Sequence, residues 1–327
     1  MFALGAREGA GAGSRSTYHG SMRNPADLYS VVMAETEVPR GLPLVIGLSG
    51  FVDSGGAVAQ VAQYLLDELE NRDIVVFEND ELLDYRARRP IMVFDETRIT
   101  EYRRPALALR LAQDELGEPF LLLTGYEPDF QWERFVAALL DLIERYGVAT
   151  TTWVQAIPMP VPHTRDLGVT VSGNRDDLIE AMSVWRPRTQ VPGNVLHLLE
   201  HRLTEADHPT ASFVLLVPHY LADTEFPSAA VTALESITSA TGLLFPTDRL
   251  REEGREFLGR IEEQVEGNSE LARLVGTLEE RHDSYMEDNP LRSPLTDEDG
   301  ELPSADSIAA ELEKFLAHRQ SSDDDAS

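Results

Sequence analysis

Four short motifs carry the residue types that could do chemistry, and each follows a run of strand-like apolar residues. Leu44-Val-Ile-Gly-Leu48 runs into Ser49-Gly-Phe-Val-Asp-Ser-Gly-Gly56, and Phe120-Leu-Leu-Leu123 runs into Tyr126-Glu-Pro-Asp129. Thr152-Trp-Val-Gln-Ala-Ile157 runs into Pro158-Met-Pro-Val-Pro-His-Thr-Arg165, and Phe213-Val-Leu-Leu-Val217 runs into Pro218-His-Tyr220. Glu127, Asp129, His163 and His219 are the types used for proton transfer. Arg165 suits a carboxylate or phosphate, and the prolines before it hold it and His163 in an extended, rigid loop. Ser49, Asp53, Ser54, Gly55 and Gly56 sit where a strand meets a helix, a place where backbone N–H groups can receive an anion. Ligands of open α/β sheets bind outside the carboxyl ends of the strands, so parallel neighbours would bring these residues and Tyr220 to one mouth.

Each motif also has a structural reading, and that reading weighs more. Asp53 or Ser54 can cap a tight strand-to-helix turn, and the histidines and carboxylates can bond loop backbone. The Gly-x-Gly-x-x-Gly dinucleotide spacing is absent. Phe51 stands where a Gly-x-Ser-x-Gly nucleophile elbow needs its last glycine. His197-Leu-Leu-Glu-His201 matches the His-x-x-Glu-His pattern of inverted zinc peptidases. Leu196, Leu199 and Leu203 take the buried face there, so both histidines are expected toward solvent with His208, and no metal is expected. Leu82-Leu-Asp-Tyr-Arg-Ala-Arg-Arg-Pro90 is the one basic cluster, extended by Arg98, Arg103 and Arg104. Arg86, Arg88 and Arg89 read as charge balance, with a docking patch for an acidic partner as the other reading.

The elements that must position these residues follow from periodicity. Leu44–Leu48 has the continuous apolar character of a buried parallel strand. Ala57, Val58, Val61, Ala62, Leu65, Leu66 and Leu69 form an amphipathic stripe, and Ile74–Phe77 completes a βαβ unit. Ile91–Phe94 and Ile99–Tyr102 read as a hairpin added to the same sheet, with Leu107–Leu111 a further strand. Phe120–Leu123, a helix over Trp132–Tyr146 capped by Asp129, and the strand Thr150–Ile157 repeat the pattern. Helices near Asp177–Met182 and Val195–Leu203, the strand Phe213–Val217 and a helix near Ala229–Ala240 complete it. The fold class expected is a three-layer, doubly wound α/β domain with a mostly parallel sheet, over residues 25–247. A charged helical hairpin, Arg249–Val265 and Glu270–Met286, is expected over 248–288. A linker, a last helix and an acidic tail are expected over 289–327, and a disordered leader over 1–24, with Met22 as an alternative start.

Composition excludes several functions. The 327 residues carry a formal net charge of -29, which disfavours nucleic acid and anionic membranes. There is no cysteine, hence no disulfide, zinc-thiolate site or cysteine nucleophile. Lys314 is the one lysine, so a Walker A loop or Schiff base cannot be built in the main domain. No segment reaches the roughly 20 apolar residues of a membrane span, and a cytoplasmic protein is expected.

Taken in order, Ser49–Gly56, Leu82–Pro90, Gly125–Asp129 with Trp132 and Phe135, Pro158–Arg165 and Pro218–Tyr220 resemble the proteasome assembly chaperone family, second type, in its high-GC bacterial branch. The likeness covers roughly Leu28 to Thr247. It implies a phosphorylase/hydrolase-like three-layer domain, a non-catalytic chaperone role without cofactor, contact with proteasome subunits, and self-association, with a trimer as one form. Some relatives dock through a C-terminal hydrophobic-Tyr-X tail. This chain ends Asp325-Ala-Ser327, which directs the expected contact to the charged C-terminal helices. An ATP-grasp label borne by some bacterial members does not suit a lysine-free α/β domain. The alternative is a small-molecule-binding or hydrolase-like protein using the mouth.

Overall fold

Continuous apolar runs flanked by amphipathic helices fold here into three layers. The computed structural model describes residues 23–50, 52–186 and 188–288. The expected leader as far as residue 22, and the expected linker, last helix and tail, lie outside the described residues. The strands are β1 (Tyr29–Val31), β2 (Pro43–Ser49), β3 (Asn71–Phe77), β4 (Ile91–Asp95), β5 (Arg98–Arg103), β6 (Ala108–Gln113), β7 (Pro119–Tyr126), β8 (Thr150–Met159), β9 (Val169–Gly173) and β10 (Thr210–Pro218). The helices are α1 (Ala57–Glu68), α2 (Asn79–Leu82), α3 (Trp132–Tyr146), α4 (Asp176–Met182), α5 (Val195–Glu205), α6 (Pro227–Thr241), α7 (Asp248–Gly267) and α8 (Ser269–Asp288).

Eight strands form one sheet in the order β1-β3-β6-β7-β2-β8-β10-β9. The pairs β7–β2, β2–β8 and β8–β10 are parallel, and β3 runs the same way, so five of the eight strands share a direction. Side chains alternate between the two faces, which is why the central strands read as unbroken apolar runs. Val45, Phe120, Leu122, Val154 and Phe213 point into one layer with α1, α4, α6 and α7. Leu44, Ile46, Leu121, Leu123 and Trp153 point into the other with α3 and α5. The expected α/β class holds.

Three local expectations do not. Ile91–Tyr102 does form a hairpin, but β4 and β5 make a separate two-stranded sheet rather than joining the main one. The physical reason is that neither β3 nor β10 has a free side to offer. β1 covers β3, and β9 covers β10 by antiparallel pairing; both are short strands that periodicity did not pick out. Asp129 does not cap α3; the flanking residue is Gln131, in a left-handed conformation with no side-chain cap, and Asp129 is committed elsewhere. The histidines of the His-x-x-Glu-His segment do not face solvent together, as described below.

Candidate functional site

The carboxyl ends of β7, β2, β8 and β10 lie along one edge of the sheet. Ser49 sits opposite Tyr126, and Pro218 opposite Met159. The four motifs therefore share an edge, but their ionisable groups divide into two groups, each engaged with protein partners.

On the β2–β7 side the carboxylates close helix ends and loops. Asp53 accepts from the Val58 N–H at 2.8 Å and the Ala59 N–H at 2.9 Å, filling the anion position at the start of α1. Burial pushes its pKa up, against the lowering effect of those N–H groups. Gly55 is at φ +70, and a Cβ there would press on the Phe226 Cβ at 3.1 Å, so the tight turn needs glycine. Its N–H donates to the Ala222 carbonyl and its carbonyl accepts from the Phe226 N–H, tying the turn to the start of α6. The side-chain amide of Gln60 donates to the Gly55 and Gly56 carbonyls, and Ser54 is buried. Glu127 is buried and accepts from the Val195 N–H at 2.8 Å, which caps α5 from a residue 68 positions away. Asp129 accepts from the Asp84 N–H at 2.7 Å and pairs with Arg88 at 3.3 Å. The Arg88 guanidinium also donates to the Ser49 carbonyl and lies 5.9 Å from the Tyr126 ring centroid. Arg88 thus belongs to the mouth, whereas Arg86 and Arg89 remain exposed.

The β8–β10 side is organised by α8. The Tyr220 hydroxyl accepts from the His163 backbone N–H at 2.8 Å and lies 2.7 Å from His163 Nδ1. Burial lowers the His163 pKa and raises that of Tyr220, so both are neutral at pH 7. Arg165 makes a two-pronged contact with Asp283, at 2.8 and 2.6 Å, and reaches Glu279 at 3.2 Å. The Arg165 partnership holds the Asp283 carboxyl down at about 2. The Tyr285 hydroxyl donates to the Val184 carbonyl. The proline-rich loop is therefore the seat on which α8 is strapped. Asp283 and Glu279 were not legible as site residues, because their partner lies more than a hundred positions away. His219 Nδ1 lies 3.3 Å from the Met159 carbonyl.

A cleft of about 380 Å³ lies beside this seat, lined by His163, Thr164, Asp166, Ser228, Thr232 and Glu262 among others. Glu127 lines a different and much smaller space, with Gly50, Val52, Gln155 and Asn194. Among the described residues, Glu127 and the pair His163 and Arg165 thus line separate spaces.

The His-x-x-Glu-His segment is likewise structural. His197 Nδ1 accepts from the Asn194 N–H in a capping box at the start of α5. Glu200 accepts from the Ser172 hydroxyl, and His208 pairs with Thr151. His201 alone of the three histidines is exposed, beside Glu205. Among the described residues no cluster of three potential metal-ligating His, Asp or Glu side chains is found. No described helix is long and apolar enough to cross a membrane.

The model of the PAC2 family matches residues 47–265. A Corynebacterium glutamicum protein of unknown function is 36% identical, with a TM-score of 0.77 over 80% of this chain and 98% of its own. A Mycobacterium tuberculosis protein of unknown function is 38% identical, with a TM-score of 0.75 over 80% of this chain and 92% of its own. A Mycobacterium tuberculosis proteasome-assembly chaperone homologue shares the fold at 22% identity, with a TM-score of 0.65 over 72% of this chain and all of its own. No curated protein matches the sequence.

Proposed function

Because the chain belongs to the PAC2 family, we propose that it is a non-catalytic, chaperone-like interaction protein that works with proteasome subunits or a related assembly in the cytoplasm and associates with itself. The observation that carries this reading is how the mouth uses its charge. Asp53, Glu127, Asp129 and Arg165 are each bonded to backbone or to an opposite charge. A general acid or base must reach the proton it moves, and these groups are already engaged by protein partners. The fold shared with a proteasome-assembly chaperone homologue supports the choice of partner. Helix α8, held against the mouth by Arg165, and the charged helix α7 before it offer a partner a broad polar surface.

The test is a tagged pull-down from the native host, with mass spectrometry of co-purifying proteins and the native mass of the complex. Proteasome α or β subunits at near-stoichiometric levels are expected. A clean homo-oligomer without them overturns the partner assignment.

One observation favours a second reading, a small-molecule site in the cleft beside α8. His163 is buried there, and its Nε2 has no hydrogen-bond partner among the described residues. A buried imidazole nitrogen without a partner is costly, so a ligand able to bond it would gain affinity. A retained small-molecule mass in the purified protein, lost in His163→Phe, is the result this reading requires.

A further inference from the structure

The cleft beside α8 brings together donors and acceptors that do not answer one another. The first donor is His163, 7% exposed, whose Nε2 has no hydrogen-bond partner among the described residues. The Tyr220 hydroxyl already accepts from the His163 backbone N–H, and among the described residues its own proton has one acceptor within reach, Nδ1. Nδ1 therefore accepts, and the imidazole proton sits on Nε2 as an unanswered donor. The second is the start of α6. Its flanking residue, Phe226, supplies no side-chain cap, and Ser228 in its first turn lines the cleft with a hydroxyl that has no partner among the described residues. The first turn of a helix carries unpaired N–H groups and a partial positive charge.

The acceptors are two carboxylates. Asp166 and Glu262 line the same cleft, and neither has a hydrogen-bond or ion-pair partner among the described residues. Glu262 lies close enough to His163 to act on its charge. Arg165 also lines the cleft, but Asp283 and Glu279 take its guanidinium, so it neither neutralises these carboxylates nor receives an anion. Leu167 and Leu258, partly buried against the core, add apolar surface. A simple anion would meet the two carboxylates unscreened, and a simple amine would leave the imidazole N–H unanswered. A molecule that carries an ammonium, a carboxylate and an apolar body answers all three parts, and an α-amino acid is the smallest that does. The volume of about 380 Å³ is in the range of small-molecule sites.

We propose that this cleft binds a free α-amino acid with an apolar side chain, its carboxylate received by His163 and the start of α6 and its ammonium by Glu262 and Asp166. The proposal rests on the second reading above and names its ligand class. Nε2 is shielded from water as the ring stands, so binding turns the imidazole edge toward the carboxylate. Purified full-length protein tests it without proteasome subunits, so a failure here leaves the pull-down result standing.

Isothermal titration calorimetry with L-leucine and L-phenylalanine is the experiment. Saturable binding of at least one is expected. For leucine, isocaproate lacks the amine and isoamylamine lacks the carboxyl, and each should bind at least about tenfold more weakly. Glu262→Gln, at an exposed position, should weaken leucine about tenfold and leave isocaproate unchanged. His163→Gln should weaken leucine and leave isoamylamine unchanged. Ser228→Ala makes the same test on α6 should His163→Gln fail to fold, as judged by circular dichroism. No saturable binding of either amino acid at low millimolar concentration would overturn the proposal. So would analogues that bind as well as leucine, or leucine binding indifferent to both Glu262→Gln and Ser228→Ala. A retained small molecule of another class, lost in His163→Phe, would overturn the amino-acid assignment alone. A protein that neither retains nor binds any small molecule would overturn the second reading with it.

Discussion

The mouth of the sheet and the β4–β5 ribbon invert what residue type alone suggests. The mouth collects histidines, carboxylates and arginine, yet Asp53, Glu127 and Arg165 serve as caps and struts. The ribbon has no recognised motif, yet it leaves four large apolar side chains half exposed or more. The number of partners a group already has, rather than its chemical type, separates structure from function here. A carboxylate that satisfies a helix N-terminus is already committed, whereas an apolar face without a neighbouring layer still has free energy to gain by burial.

Substitutions can break or sharpen this contrast. The largest effect is expected at Gly125, where the ribbon's return joins the mouth. It is at φ +142, and a Cβ would run into the Ala106 carbonyl and lie 2.7 Å from the Leu107 Cα. Gly125→Ala should cost roughly 3 kcal/mol or more in urea unfolding, and a near-neutral result would show that the joint is pliable. Glu127→Ala comes next, at about 2 kcal/mol, because it removes a charged acceptor from a buried backbone donor at Val195. Equal loss in Glu127→Gln would reveal that charge, and not the bond alone, holds α5.

Asp53→Ala should cost about 1 kcal/mol, the usual worth of a helix cap, read from the same unfolding curves. Phe94→Ser, on the ribbon, should change stability by no more than about 0.5 kcal/mol when measured on monomeric protein, since its side chain is 66% exposed. A large loss there would mean that the ribbon is packed on its own body.

Acid gives the most local test. The folded-state pKa of Asp283 is depressed from 3.8 to about 2 by Arg165. A depressed carboxylate contributes stability that is complete above its unfolded value and is lost as pH falls through its folded one. Docking of α8 should therefore weaken between pH 3.8 and about 2. Amide exchange in α8, corrected for its intrinsic rate, should rise across that window in the parent protein and already be high in Arg165→Ala. The buried His163 and the half-buried His197 and His208 act over a higher range. Burial lowers all three, so the unfolded chain takes up protons first and stability should fall as pH drops below 6.5.

The sequence by itself determined the layers. Apolar runs such as Leu44–Leu48 and Phe120–Leu123 can only be strands buried on both faces, and the stripe from Ala57 to Leu69 can only be a helix with one buried side. It also placed four motifs at strand ends, because a motif follows its strand in the chain. What each motif binds was decided by tertiary structure alone. Glu127 meets Val195, and Arg165 meets Asp283, across 68 and 118 residues. No local pattern encodes such pairings, since they depend on how the helices lie over the sheet. The freedom of the ribbon was settled the same way. Its alternation was readable in Met92, Phe94, Ile99 and Tyr102, but whether a layer lay beneath it turned on β1 and β9, short strands that occupy both edges of the main sheet.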